Sequence, residues 1–290
     1  MNSVFIIGCG DTGRRLGALY RAEGVPVTGL VRSETSAREL QAMGIAALCT
    51  DLDGDDLPAM PSRGAAVFYF APPIDVGADD VRIERLLAHL ETTGLPARLL
   101  YMSTTGVYGD CKGRWIDERE PLNPATVRAQ RRVAAEKAVR EWGEGQHVPW
   151  VILRVPAIYG PGRLLTERLK SSLPAVRPEE CGFTNRIHID DLVRVCHAAM
   201  AKAPTDSLYN VSDGHPTTLT DYLFQLADLT GLPRPPLISM YEAERTLSPS
   251  VMSFLRESKR IHNDKLLTEL GITLRHPDLA SGLKASLEER

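Results

Sequence analysis

The chain has 290 residues, 43% hydrophobic and 24% charged, with a formal net charge of −3 at pH 7. This composition provides a full core with room for a second small domain, and it lacks the Lys and Arg excess that a nucleic-acid partner needs. No apolar stretch is long enough for a membrane span or a signal-peptide core, and five widely spaced cysteines without a C-x-x-C read as reduced thiols, so a cytoplasmic chain is expected.

In chain order, short β-branched runs alternate with helical patterns, which is the sequence form of βαβ units on a parallel sheet. Strands are predicted at Val4–Ile7, Val25–Val31, Ala46–Cys49, Ala66–Phe70, Arg98–Ser103 and Trp150–Arg154. Leu16, Leu19 and Tyr20 mark a first helix. Ile83, Leu86, Leu87 and Leu90 mark another over Asp79–Thr93, because i, i+3, i+4, i+7 spacing puts them on one face. Val67-Phe68-Tyr69-Phe70 is apolar throughout, as a strand covered by helices on both sides must be. After Pro156 the pattern breaks at Tyr159-Gly160-Pro161-Gly162, and a polar stretch with Pro174, Pro178 and Gly182 leaves the sheet. A helix from Asp190 to about Ala201 and a strand at Leu208–Val211 return to it. Beyond Thr217, two or three helices flank Pro233-Arg234-Pro235-Pro236. The expected fold is α/β: a doubly wound, Rossmann-type parallel sheet with a small, mostly helical C-terminal substrate domain. Residues 1–156 plus 188–212 form the dinucleotide-binding part, and 157–187 plus 213–290 form the substrate-binding lid.

Gly8-x-Gly10-x-x-Gly13 follows the first strand and opens the first helix. In that context Gly8 permits the tight turn, Gly10 lets the backbone approach a pyrophosphate, and Gly13 lets helix and strand pack. Asp11 and Thr12 lie in the same turn, where free N–H groups at a helix N-terminus favour phosphate. NAD binding calls for a carboxylate at the end of the second strand, yet that strand ends Leu30-Val31-Arg32-Ser33. A guanidinium at Arg32 with the Ser33 hydroxyl suits the 2′-phosphate of NADP, so NADP is the expected cofactor and NAD the runner-up.

Further along, several segments resemble the extended short-chain dehydrogenase/reductase superfamily, specifically the NAD-dependent epimerase/dehydratase family. They are Ser103-Thr104-Thr105-Gly106-Val107-Tyr108-Gly109, Pro121-Leu122-Asn123-Pro124, Arg154-x-Pro156-x-x-Tyr159-Gly160-Pro161-Gly162, Ile187-His188-Ile189-Asp190-Asp191-Leu192 and Asn263-x-Lys265-x-x-x-x-Leu270-Gly271. The resemblance implies that Asp51 and Leu52 hold the adenine and that Ala71 and Pro72 line the adenosine side. It also implies that Pro156, Ala157 and Ile158 meet the nicotinamide carboxamide, that Ser103 lies in the cofactor site, and that Thr104 hydrogen-bonds a reacting carbonyl. Relatives often dimerise through helices corresponding to Asp79–Thr93 and Pro124–Trp142, so a homodimer is an option.

The family's Tyr-x-x-x-Lys pair is missing. Counted from Pro124 and Glu136, its positions fall on Arg128 and Arg132, which keep the i, i+4 spacing and lose the acid/base chemistry, because arginine stays protonated. Tyr108 and Tyr159 are candidate substitute acids. Arg128, Arg132 and Arg186 are candidates for holding an anionic substrate, with Tyr159 and His188 beside them. On the other reading, Ala134, Ala135, Ala138 and Trp142 form the buried face of this helix, and Arg132–Glu136, Glu136–Arg140 and Arg140–Glu144 are solvated pairs. The histidines show no metal-ligand spacing, so no metal is expected. Two functions follow. The first is an epimerase/dehydratase-like oxidoreductase of atypical active site acting on a small anionic or nucleotide-linked metabolite, and the alternative is a catalytically inactive NADP-binding regulatory or scaffold protein.

Overall fold

Residues 2–54, 56–74 and 77–288 are described in a computed structural model. The chain divides into two units, one of Met1–Val107, Val127–Arg154 and Val193–Tyr209, the other of Tyr108–Thr126, Val155–Leu192 and Asn210–Arg290.

In the first unit, seven strands form the sheet: β1 Val4–Ile7, β2 Val27–Val31, β3 Ala46–Cys49, β4 Ala66–Tyr69, β5 Arg98–Thr104, β6 Trp150–Val155 and β7 Ser207–Asn210. Their order is β7-β6-β5-β4-β1-β2-β3. The pairings of β1 with β2 and β4, of β2 with β3 and of β4 with β5 are parallel, with Val4 opposite both Val27 and Ala66. Every residue of β1, β4 and β6 is buried, the pattern of strands covered on both faces. The covering helices are α1 Asp11–Ala22, α2 Glu34–Ala42, α3 Val81–Thr93, α4 Val127–Gln146 and α5 Ile189–Lys202. Ile83, Leu86, Leu87 and Leu90 of α3 join Phe5, Val67, Leu99 and Ile152 in one core. The helix begins two residues later than its apolar stripe suggests, because the buried Asp80 carboxylate accepts the Ile83 N–H and caps it. β1 lies between β2 and β4, so the chain leaves it in opposite directions and opens the sheet's C-terminal edge at that point.

The second unit is built from small pieces. Ala157–Tyr159 pairs with Arg186–His188, Ala175–Val176 with Leu237–Ile238, and Trp115–Ile116 with Arg260–Ile261, all parallel, while Phe183–Thr184 pairs antiparallel with Thr217–Thr218. Among the described residues five helices follow Thr218: Leu219–Thr230, Met240–Thr246, Pro249–Leu255, Asp264–Leu270 and Leu279–Glu288. The expectation of two or three is corrected. Three of the five are seven residues long, too short to display a repeat, and caps at Ser239 and Ser248 define two of them instead. Residues 108–126, expected with the sheet, cluster with this unit. The Cys111 and Gly113 N–H groups donate to Ser258 O, and Lys259 Nζ donates to Gly109 O at 2.7 Å. Tyr159, Leu169, Tyr222, Leu226, Leu279 and Leu283 share one core. Among the described residues no helix is long and apolar enough to cross a membrane.

Candidate functional site

The turn from β1 into α1 is shaped by three glycines with different surroundings. Gly8 has φ +81°, and a Cβ there would lie 2.5 Å from Ala71 N, so the turn is pressed against the backbone leaving β4. A Cβ on Gly13 would meet Ile6 Cγ2 at 3.0 Å and Cys9 Sγ at 3.2 Å, which sets the closeness of helix and strand. Gly10 is the N-cap of α1, and a Cβ there would meet nothing within 4 Å. The close approaches lie beneath the turn, and the space beside the helix N-terminus is open, which fits a pyrophosphate held on backbone N–H groups. Thr12 is buried, and the exposed Asp11 accepts from Arg15 Nε at 3.1 Å.

At the end of β2, Arg32 and Ser33 are exposed. Ser33 Oγ accepts the Ser36 N–H at 3.2 Å and caps α2, and it also lies 3.1 Å from Ser36 Oγ. Its side chain is therefore already engaged locally. Asp53 accepts from Arg82 Nε at 2.8 Å. That bond holds its carboxyl below the usual range, with the charges of Arg32 and Arg85 adding to the effect. Asp51 is exposed, and its Oδ1 accepts the Asp53 N–H at 3.1 Å, while the Leu52 side chain belongs to the core. Ala71 is buried and Pro72 exposed, and Arg82 donates to the Pro72 carbonyl.

The end of β5 carries Ser103 and Thr104. Thr104 is half-buried, and its Oγ1 accepts the Gly106 N–H at 3.2 Å. A Cβ on Gly106 would lie 3.9 Å from Ala129 Cβ, so the first turn of α4 packs alongside. Ser103 Oγ donates to Glu136 Oε1 at 2.6 Å, and Arg154 clamps the same carboxylate from β6, Nε to Oε1 at 3.0 Å and Nη2 to Oε2 at 2.6 Å. Glu136 and Arg154 are each 2% exposed. The reading of Glu136 as a solvated partner of its helix neighbours is thus corrected: its principal partner comes from a strand, and Arg140 is only an outer contact at 3.5 Å.

Arg128 and Arg132, one turn apart, differ in setting. Arg128 is exposed. Arg132 is half-buried, and its Nη1 donates to Tyr101 OH at 2.9 Å and to Met102 O at 3.1 Å. Burial pushes the Tyr101 hydroxyl up to about 12, against the opposing charge of Arg132. Arg131, which its place in the helix pattern does not mark as interior, is buried and donates through Nε to Gly77 O at 2.6 Å.

The remaining candidates belong to the second unit. Tyr108 is 1% exposed and its hydroxyl donates to Asn210 Oδ1 at 2.8 Å. Tyr159 is buried, donates to Asp278 O at 3.3 Å, and is pushed far above the ordinary tyrosine range by that burial. Neither hydroxyl is presented as an acid in this arrangement. Pro156 and Ile158 are half-buried and Ala157 exposed. Arg186 is buried, donates to Thr217 Oγ1 and Thr218 O, and lies 5.0 Å over the Tyr222 ring. Its surroundings are interior ones rather than an open anion site. His188 is fully buried against Ser286 and His276. Asp213, which no motif in the sequence marks, is buried, and desolvation pushes its carboxyl up to about 6 against the lowering effect of the His215 N–H bond and Arg186.

Comparison with known proteins places these features in context. The chain is 26% identical to Protein YeeZ of Escherichia coli (strain K12), over 96% of this chain and 97% of that protein. A functionally unknown conserved protein from Silicibacter pomeroyi superposes with a TM-score of 0.85 at 30% identity, covering 100% of this chain and 99% of that one. UDP-glucuronic acid 4-epimerase from Bacillus cereus, solved with NAD, shares the fold at a TM-score of 0.75 and 17% identity, covering 99% of this chain and 97% of that one. The family model described as NAD dependent epimerase/dehydratase family matches residues 4–212, and the chain belongs to that family.

Proposed function

We propose that the chain binds NADP along the C-terminal edge of its sheet and acts as an oxidoreductase or epimerase of altered active site on a small anionic or nucleotide-linked metabolite. The observation that carries this reading is the combination at the β1–α1 turn and the end of β2: a cradle with open space beside Gly10 and exposed Arg32 where an NAD site would have a carboxylate. The first-turn N–H groups of α1 hold the pyrophosphate, and Arg32 takes the 2′-phosphate. Asp51 and Ala71-Pro72 border the adenosine. When bound, the nicotinamide supplies or accepts hydride. Thr104 keeps the Gly106 N–H on its oxygen and offers its own O–H to a substrate carbonyl. It polarises that carbonyl and gives up no proton near neutral pH, so the proton comes from water. Exposed Arg128 at the start of α4 reads the anionic group. Loss of a positioned acid/base forfeits about 10²–10⁴ in rate, so turnover is slow by family standards.

A second reading, cofactor binding without turnover, is supported by Arg132. In the place of the family lysine it is committed to Tyr101 and Met102, and Arg128 in the place of the family tyrosine gives up no proton near neutral pH.

Titration with NADPH and NADH separates these ideas from a sequence coincidence. NADPH should bind about 10- to 100-fold tighter than NADH, and Arg32→Ala should erase the difference while leaving NADH binding unchanged, since one charge-assisted contact contributes roughly 1.5–3 kcal/mol. Equal affinities in the native protein would refute the role of Arg32. Metabolites that raise the thermal midpoint with NADP present are then assayed by nicotinamide absorbance. Turnover that falls on Thr104→Ala supports the enzyme, and ligands that bind with NADP and are never converted support the second reading.

A further inference from the structure

His188, Asp190 and His276 come together in the second unit although nothing in their sequence spacing announces it. One ring nitrogen from each histidine and one carboxylate oxygen of Asp190 lie within 4.8 Å of one another, and among the described residues no other trio of His, Cys, Asp or Glu does so. The imidazoles of His188 and His276 are in contact, tilted at 46° with centroids 3.9 Å apart. The trio is held from both sides. Asp191, fully buried, accepts the backbone N–H groups of Arg275 and His276, each at 2.8 Å, and so fixes the segment carrying His276.

The tautomer of His188 follows from its neighbours. Ser286 Oγ donates its hydrogen to Gly282 O at 2.6 Å, so toward His188 Nε2, 3.1 Å away, it must accept. The ring proton is therefore on Nε2 and the lone pair on Nδ1, which lies 3.8 Å from Asp190 Oδ2. The Asp190 N–H approaches that lone pair at 3.3 Å, a long bond that a stronger Lewis acid replaces. A histidine whose outer N–H is held by a fixed acceptor while the other nitrogen lies 3.8 Å from a carboxylate oxygen has the orientation found in metal ligation.

We propose that His188, Asp190 and His276 form a binding site for a divalent transition-metal ion of the zinc type. Two imidazoles and one carboxylate are a ligand set that suits Zn²⁺ and its neighbours rather than Ca²⁺ or Mg²⁺. The distances are compatible. Ligand atoms at about 2.0–2.1 Å from a tetrahedral ion stand roughly 3.3 Å apart, so drawing in atoms that lie within 4.8 Å of one another moves each by at most roughly 0.9 Å, within the reach of small side-chain rotations. His188 is fully buried, whereas the Asp190 side chain is 23% exposed and His276 half-buried, which leaves an entry route and a position for water as the fourth ligand. Because Asp190 lies in the first turn of α5 and His276 precedes the C-terminal helix Leu279–Glu288, the ion ties two separated stretches of chain together and stabilises this unit.

The test uses the full chain, stripped with a chelator and dialysed, then titrated with Zn²⁺ by calorimetry and melted at each step. One saturable site per chain is expected, with a rise in midpoint of roughly 5–10 °C at a hundredfold excess over the dissociation constant. Co²⁺ should give the visible bands of a tetrahedral site. His276→Ala and Asp190→Ala change surface-accessible ligands, so each should melt near the metal-free native midpoint and lose at least tenfold in Zn²⁺ affinity together with the Co²⁺ bands. His215→Ala, an exposed histidine outside the trio, should keep both. Absence of saturable uptake, or uptake that survives His276→Ala unchanged, overturns the proposal.

Discussion

The sharpest test of how the site is built is Glu136→Ala. Glu136 accepts two hydrogen bonds from Arg154 and one from Ser103, and both ionic partners are 2% exposed. Removing the carboxylate leaves the Arg154 charge in the interior without its counter-ion and deprives the Ser103 hydroxyl of its acceptor. Breaking one side of a buried pair costs about 3–5 kcal/mol, much of it the desolvation of the remaining charge rather than the attraction lost. For a unit of this size, that corresponds to a fall of roughly 6–20 °C in the melting midpoint. The control is Glu136→Gln combined with Arg154→Met. Gln retains an acceptor for Ser103, and Met fills the space of the arginine stem without a charge, so the double variant should recover to within about 1–2 kcal/mol of the native protein. Urea unfolding followed by circular dichroism, with thermal melts alongside, measures both. If Glu136→Ala costs less than about 1 kcal/mol, or if the double variant is no more stable than the single, the view that this pair clamps α4 to β5 and β6 is wrong.

Two other predictions concern backbone approach and pH. Gly10→Val should fold normally, because Gly10 has φ −78° and open space around it, yet weaken NADPH binding at least tenfold. Gly8→Ala, with φ +81° and a Cβ 2.5 Å from Ala71 N, should cost more than about 2 kcal/mol in urea unfolding with or without cofactor, and the reverse ranking of the two would sink the assignment of the cradle. Asp213 has its carboxyl raised from 3.8 to about 6 by burial, so its contribution to stability is fullest below pH 4 and is lost as pH rises through 6, amounting to roughly 3 kcal/mol at neutral pH. Asp213→Asn should therefore stabilise the protein at pH 8 and change little at pH 4, and an equal increment at both values would show that ionisation is not the cause.

What the sequence reveals and what it hides divide along a physical line. Val4–Ile7 and Ala46–Cys49 emerge at their expected bounds, because an apolar run cut off by a turn is a local signal. The glycine turn is legible for the same reason, since its requirements are met within a few residues. Glu136 is not. On α4 it sits among Arg132, Lys137 and Arg140 and reads as one more surface charge. Its burial is decided by Arg154 and Ser103, which reach it from two different strands. The polar interior also blurs the helix's amphipathic pattern, since Arg131 and Glu136 are buried beside Ala135 and Val139. Arg128 and Arg132 illustrate the same limit: their shared face of the helix follows from spacing, but only tertiary packing turns Arg132 toward Tyr101 and leaves Arg128 exposed. That separation bears on chemistry. Arg132 keeps the positive charge and the hydrogen-bond donors that a lysine there would have, whereas Arg128 one turn before it, unlike a tyrosine in that place, has no proton to trade near neutral pH. This face of α4 thus carries positive charge at positions 128 and 132 and no side chain that exchanges a proton near neutral pH. On the proposed function, Thr104 polarises the substrate carbonyl and water supplies the proton, since neither guanidinium on this face of the helix can give one up near neutral pH.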